Sequence, residues 1–147
     1  MAVKKKYYSW HDLEEQVQDL VYQLYKSPWK PDYIVGLTRG GLTPATILSN
    51  RLDIPMYALD VRLRDTTEGY RAESNQCMAQ DAFGYDERSD GIKWNSDLVK
   101  NILIVDDIND SGATFEWIKN DWQNNCESRD DRWRHVWHNN VRFAVLT

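Results

Sequence analysis

One run in this chain combines residue types and spacing that could do chemistry. Ile102 to Val105 are four apolar residues in succession, and they lead straight into two adjacent acids, Asp106 and Asp107. After two further residues come Asp110, Ser111, Gly112, Ala113 and Thr114, and then a stretch with helical periodicity. Adjacent carboxylates repel each other and resist desolvation unless hydroxyl donors or a divalent cation offset their charge. Residues 110–114 offer the opposite chemistry. The free amides and positive dipole end of a helix N-terminus suit a phosphate, and Gly112 lets the backbone come close to a ligand. Acids for hydroxyls or a cation thus stand beside amides for a phosphate, and a sugar phosphate carries both features. A plainer reading makes Asp106 and Asp107 solvated loop acids and lets Asp110 or Ser111 merely cap the helix. That reading suffices for an isolated acid pair, and explains the whole run after an apolar strand much less well.

A second run, "VGLTRGGLTPA" from Val35 to Ala45, also leaves an apolar strand through a glycine-containing turn, Thr38, Arg39, Gly40 and Gly41. Gly36 to Thr43 nearly matches the nucleotide-binding pattern G-x-x-x-x-G-K-[ST]. Leu42 occupies the lysine position, which removes the main phosphate contact of that motif. Taken alone, the turn reads better as an ordinary strand-to-helix connection with a surface Arg.

The elements that position these runs follow from periodicity. Ser9 opens a helix, with Asp12 three residues later and Leu13, Val17, Leu20, Val21 and Leu24 at helical spacing. Ser27-Pro28 ends it. Tyr33 to Leu37 is a short apolar strand. Thr43 is expected to cap a second helix with Pro44 at its first position, and Ala45, Ile47, Leu48 and Leu52 form its buried stripe. A second strand is expected from Met56 to about Leu63, completing a strand–helix–strand unit of the kind that makes a parallel pair.

Residues 65–97 are polar and carry eight acids against three bases, so this segment accounts for the whole net charge of −5. It reads as a flexible acidic excursion rather than a second domain. Ile102 to Val105 is a strand apolar on both faces, the mark of a central parallel strand. A helix is expected from Ala113 to about Asn124 with Trp117, Ile118 and Trp122 on one side. Residues 125–139 are polar with scattered Trp, and Val141 to Leu146 is a last strand. The pattern predicts a single α/β domain over residues 1–147, a mostly parallel sheet flanked by helices on both faces. Ligands of such sheets bind beyond the carboxyl ends of the strands, and both runs leave strands at that end.

The chain as a whole narrows the function classes. At 147 residues it suits one core. Seven Trp and eight Tyr are many for this length; most are expected in the core and some at a subunit interface of a homo-oligomer, a dimer or a tetramer. The acidic balance without a basic stripe argues against nucleic acid as a partner. No apolar run has the length of a membrane span, and Met1 to Lys6 lacks the apolar core of a signal peptide. Cys77 and Cys126 stand far apart without metal-ligand spacing, as expected of free thiols in a reducing cytoplasm. His135 and His138 have no acidic or Cys partner to complete a metal site and read as surface residues. Arg62, Arg64 and Arg71 flank the acidic segment and read as solvated charge.

"VDDINDSGAT", Val105 to Thr114, closely resembles the phosphoribosyl-pyrophosphate (PRPP) motif of type I phosphoribosyltransferases: an apolar strand, two acids, two variable residues, then Asp-Thr-Gly-x-Thr. It departs once, at Ser111, where the hydroxyl is retained. "VGLTRGGLTPA" resembles the pyrophosphate loop of the small bacterial xanthine–guanine branch, and the likeness runs in order over about residues 9–118. The resemblance implies transfer of the 5-phosphoribosyl group from PRPP to a nucleobase, a 6-oxopurine, with release of pyrophosphate and with Mg²⁺ as cofactor. It implies that Asp106 and Asp107 hold the ribose hydroxyls and, through water, the metal. Asp110, Ser111, Gly112, Ala113 and Thr114 would cradle the 5′-phosphate, with Asp110 also sharing a proton with the base. Asp106, Asp107 and Asp110 are thus the implied catalytic group. Thr38, Arg39, Gly40 and Gly41 would hold pyrophosphate, Arg39 by charge and the glycines by their amides. In that family a C-terminal hood recognises the base. The sequence stops at Thr147, about where a hood would begin, so the hood is expected to be absent here or to lie outside these residues. A PRPP-binding regulator without turnover and a transferase with a non-purine acceptor remain as alternatives.

Overall fold

The first helix, α1 (Trp10–Lys26), begins where its sequence says it should. The Ser9 hydroxyl accepts a hydrogen bond from the Asp12 amide at 3.1 Å, and the Asp12 carboxylate accepts one from the Ser9 amide at 3.0 Å. The two bonds satisfy two of the donors that a helix start leaves open. The chain turns extended at Ser27, before Pro28. The computed structural model describes residues 9–38, 40–62, 71–86, 93–107, 112–126 and 132–146.

After α1 come β1 (Tyr33–Leu37), α2 (Leu42–Leu52), β2 (Met56–Leu59), β3 (Val61–Arg62), β4 (Arg71–Ala72), α3 (Gln76–Phe83), β5 (Tyr85–Asp86) and β6 (Lys93–Trp94). A 3₁₀ turn (Ser96–Leu98) leads to β7 (Ile102–Asp106). Then follow α4 (Ala113–Asn120), a π-helical continuation (Asp121–Cys126), α5 (Arg132–His138) and β8 (Val141–Val145). β2, β1, β7 and β8 form one parallel sheet in that order. Two-stranded antiparallel ribbons, β3 with β4 and β5 with β6, stand apart from it.

Because strand residues alternate between faces, the central strands β1 and β7 are apolar throughout, and each face of the sheet has its own core. Ile34, Leu103, Val105 and Ala144 pack with Val17 of α1 and with Ala45 and Leu48 of α2. Tyr33, Val35, Leu37, Leu59, Ile102 and Ile104 pack with residues of α3, α4 and α5 on the other face. Gly36 lets α2 settle on β1, since a Cβ there would stand 2.8 Å from the Ala45 Cβ. The helices therefore cover both faces, and the α/β reading of the sequence holds.

The structure corrects the reading at four places. The second helix starts before Thr43, because the chain already turns at Gly41: its amide donates to Leu37 O at 2.9 Å and its carbonyl accepts from Ala45 N at 3.0 Å. Gly41 is the cap, without a side-chain bond, and Pro44 lies inside the first turn, where no amide is needed. The second strand ends at Leu59 rather than Leu63, and the chain continues into the β3–β4 ribbon.

The described part of 65–97 contains α3, with Met78, Ala79, Ala82 and Phe83 buried. Two of these four are alanines, which carry little apolar signal, so the helix hides in a polar-looking segment. Its ends are nonetheless well specified. The Asn75 side chain accepts from Met78 N at 2.9 Å, and Gly84 closes the helix at a left-handed φ of 81°. Asp81 of α3 accepts the Tyr33 hydroxyl hydrogen at 2.8 Å. Burial first, and then this bond, push the Tyr33 hydroxyl well above its ordinary pKa, so it stays a neutral donor.

The fourth correction is α5, within the stretch 125–139. It buries Trp133 and Val136, and Trp133 packs on Phe83 at 5.5 Å and on Trp137 at 5.3 Å. A buried Trp removes about 150–250 Å² from water, a gross gain of about 4–6 kcal/mol. That contribution outweighs the polar residues around it.

Candidate active site

The chain leaves β1 for β2 in one direction along the sheet, through α2 on one face. It leaves β7 for β8 in the opposite direction, through α4 on the other face. The strand order therefore reverses between β1 and β7, and in sheets of this kind ligands bind beyond the carboxyl ends of two such neighbours. In register, Gly36 lies beside Val105. The loops that begin at Thr38 and at Asp107 consequently start side by side, although 69 positions separate them in sequence.

Their contact is close. A Cβ on Gly40 would stand 2.1 Å from the Asp107 carboxylate carbon, and one on Gly41 would stand 2.2 Å from the Val105 carbonyl oxygen. At Gly41 a Cβ would meet backbone, and at Gly40 it would displace the Asp107 side chain. The first loop is thereby pressed against the acids of the second. Asp106 and Asp107 are both half-buried, and the Asp106 carboxylate accepts the Asp107 amide at 2.9 Å. This bond braces the pair at the strand end. Gly112 precedes α4 with φ 72°, a left-handed conformation, so glycine is required there by backbone geometry in addition to closeness to a ligand. Ala113 is exposed and Thr114 half-buried in the first turn of α4, within reach of solvent as an anion site must be.

The structure brings Thr38, Gly40, Gly41, Asp106 and Asp107 together and sets Gly112, Ala113 and Thr114 at the start of α4. Arg39, Asp110 and Ser111 lie outside the described residues, as does Arg64. Arg62 and Arg71 are partners across the β3–β4 ribbon. His135 and His138 are exposed, as read from the sequence.

The geometry also sorts the donors of the first loop. The Thr38 amide donates to Leu59 O at 3.0 Å, and its hydroxyl donates to the Asp60 carboxylate at 2.6 Å. Gly41 N is taken up by Leu37 O. Among the described residues the Gly40 amide makes no hydrogen bond. Of the loop's glycine amides, the one at Gly40 is therefore the better placed for a ligand, and Gly41 acts through its lack of a side chain. Asp60 was missed in the sequence. The expectation of a strand to about Leu63 hides that β2 ends at Leu59 and that Asp60 follows it, at the end where β1 and β7 deliver the candidate residues.

A parallel sheet of this order, with a glycine loop and an acidic strand end meeting at its switch point, is the type I phosphoribosyltransferase fold. Residues 4–124 match the phosphoribosyl transferase domain family, and the chain belongs to it. It is similar to the xanthine-guanine phosphoribosyltransferase of Desulfotalea psychrophila, with 31% identity over 114 residues, 76% of this chain and 60% of that protein. It is also similar to that of Chromohalobacter salexigens, with 34% identity over 113 residues, 76% of this chain and 57% of that protein. The chain thus spans about 60% of the length of these relatives. Its fold matches the crystal structure of a purine phosphoribosyltransferase from Pyrococcus horikoshii Ot3, with a TM-score of 0.57 and 24% identity over 95% of this chain and 75% of that one.

Proposed function

We propose that this protein transfers the 5-phosphoribosyl group from PRPP to a 6-oxopurine, giving a nucleoside 5′-monophosphate and pyrophosphate. The observation that carries this reading is the meeting of the two loops at the β1–β7 switch point, with Gly40 seated on Asp107. The two relatives described above, both xanthine-guanine phosphoribosyltransferases, support the choice of base. In the reaction the bond from the ribose anomeric carbon to pyrophosphate breaks, and its electron pair leaves with pyrophosphate. A bond from that carbon to a base nitrogen forms, and the base gives up a proton. Asp106 and Asp107 hold the ribose hydroxyls, residues 110–114 hold the 5′-phosphate, and Arg39 with the Gly40 amide faces the leaving group. Their work is to fix the ribosyl centre and to meet the charge that develops on pyrophosphate.

The site residues fit Mg²⁺. The donors at the strand end are carboxylate oxygens, the hard ligands this ion takes, and Mg²⁺ is commonly bound by one or two carboxylates together with substrate phosphates and waters. When bound, Mg²⁺ supplies positive charge to the pyrophosphate oxygens. The acids would otherwise repel a bare polyanion. No described helix is long and apolar enough to cross a membrane. A cytoplasmic homo-oligomer that binds neither nucleic acid nor membrane completes the proposal.

The direct test is pyrophosphate release from PRPP and Mg²⁺ with a panel of xanthine, guanine, hypoxanthine, adenine and a pyrimidine. Turnover with a 6-oxopurine is expected. Turnover only with a pyrimidine would overturn the branch, and PRPP binding without turnover under any base would make the protein a regulator.

Two substitutions separate the roles. Arg39→Ala should weaken PRPP and pyrophosphate about 10- to 100-fold, the scale of a lost charge-assisted hydrogen bond, and leave a nucleoside monophosphate nearly unaffected. Equal losses for all three ligands in titration calorimetry would refute the division between the loops. Asp110→Asn keeps size and capping ability but removes a base, so kcat should fall about 10²- to 10⁴-fold with little change in PRPP affinity. A silent substitution would leave Asp110 as a helix cap alone.

A further inference from the structure

Asp60 sits beside a loop whose proposed ligand is a polyanion, where a carboxylate opposes binding by its charge. Its geometry gives it another task. It follows β2 directly, and its carboxylate takes the Thr38 hydroxyl hydrogen at 2.6 Å. A threonine hydroxyl has one hydrogen, and an ionised carboxylate can only accept. The Thr38 hydroxyl therefore has no hydrogen left for a phosphate oxygen, and the Thr38 amide is committed to Leu59 O at 3.0 Å. Thr38 thus holds the loop to the sheet and does not donate to a ligand.

Asp60 is fixed in turn. Its amide donates to the Glu73 carboxylate at 3.2 Å, and its carbonyl accepts the Glu73 amide at 2.8 Å. The adjacent Ser74 hydroxyl donates to the buried Asp121 carboxylate at 2.7 Å. The turn from Thr38 to Gly41 is therefore clamped on two sides: by Asp60 at the end of β2, and by the Val105 carbonyl and Asp107 at the end of β7.

We propose that Asp60 is a positioning residue for the proposed transfer. Through Thr38 it sets the direction in which the loop presents Gly40, and through Glu73 it ties that loop to the base of the β3–β4 ribbon. The proposal rests on the phosphoribosyltransferase reading for its effect on substrate, and on the hydrogen bonds alone for its effect on the loop.

The test uses Asp60→Ala, Asp60→Asn, Thr38→Val and the double variant Asp60→Ala/Thr38→Val in the full chain. Asp60→Ala and Thr38→Val should each raise the PRPP KM about tenfold, the scale of one lost hydrogen bond to a charged group. The double variant should be no worse than either single one, because both remove the same bond. Asp60→Asn keeps an acceptor oxygen and should restore most of the wild-type KM. An Asp60→Asn as damaged as Asp60→Ala would overturn the proposal in favour of a role for the charge itself, and additive losses would overturn it as well. Native-state hydrogen exchange gives a reading that needs no substrate. Exchange at the Thr38 and Gly41 amides should quicken about tenfold or more in Asp60→Ala and Thr38→Val, while the Ile104 amide in β7 keeps its wild-type rate. Unchanged exchange at Thr38 and Gly41 refutes the clamp. If the wild-type chain binds no PRPP, yet the two variants show the expected exchange, the functional reading is refuted and the clamp stands.

Discussion

Replacing Asp106 and Asp107 together by Asn is expected to abolish turnover while the fold survives. Both side chains stand at the end of β7, half-buried and beyond the apolar run that forms the core, so neither supports the packing of the sheet. The bond that braces them, from the Asp107 amide to the Asp106 carboxylate, needs only an acceptor oxygen, which Asn retains. What Asn lacks is the negative charge that, in the proposed reaction, would hold ribose hydroxyls strongly and balance a metal-loaded pyrophosphate. Loss of one preorganised electrostatic contact in a closed site costs about 10²- to 10³-fold in kcat, so the pair should take activity below detection. The melting temperature should stay within a few degrees of wild type. Pyrophosphate release and thermal unfolding measured on the same preparation check both halves. A double variant with near wild-type PRPP binding and turnover would sink the assignment of these acids.

Gly40→Ala and Gly41→Ala should fail in opposite ways, although the glycines are adjacent. At Gly41 the new Cβ meets backbone: the Val105 carbonyl at 2.2 Å, Leu37 N at 2.8 Å and Leu37 O at 2.9 Å. Backbone in two central strands cannot step aside without breaking the β1–β7 pairing, so stability should fall by about 1–3 kcal/mol or more, with activity lost as a consequence. At Gly40 the three atoms nearest the Cβ all belong to the Asp107 side chain, its carboxylate carbon at 2.1 Å. That side chain can rotate away at small cost in stability, but it then leaves the place where ribose and metal should be held. Gly40→Ala is therefore expected to keep the wild-type denaturation midpoint and lose activity on the scale of an Asp107 variant. Urea denaturation alongside initial rates separates the two outcomes. Equal destabilisation by both substitutions would refute the distinction between side-chain and backbone contact.

Much of the fold was legible because the signals were local. The Ser9–Asp12 capping box, the five-residue apolar strand Tyr33–Leu37 and the apolar run before Asp106 each declare an element within a few positions, and the structure has all three. The elements that were missed lack such a signal. α3 buries two alanines and has a cap, Asn75, that looks like any polar loop residue. α5 buries Trp133 and Val136 in a short helix among charged neighbours. In both, packing against the sheet stabilises a helix that local propensity leaves undecided.

The sequence by itself determined the chemistry on offer: paired acids at a strand end, a glycine turn after another strand, and the alternation of elements that makes a parallel sheet. Each is written in adjacent residues, because strand burial, turn conformation and helix starts are set over a few peptide units. Tertiary structure alone decided how these pieces meet. The pairing of β1 with β7, rather than with its successor alone, created the switch point and set Gly40 on Asp107. The carboxyl end of β2 brought Asp60 to Thr38 and committed the Thr38 hydroxyl to a bond within the fold. Pairings across 22 and 67 positions depend on which strand is the neighbour of which, and that choice is made by the burial of both sheet faces at once.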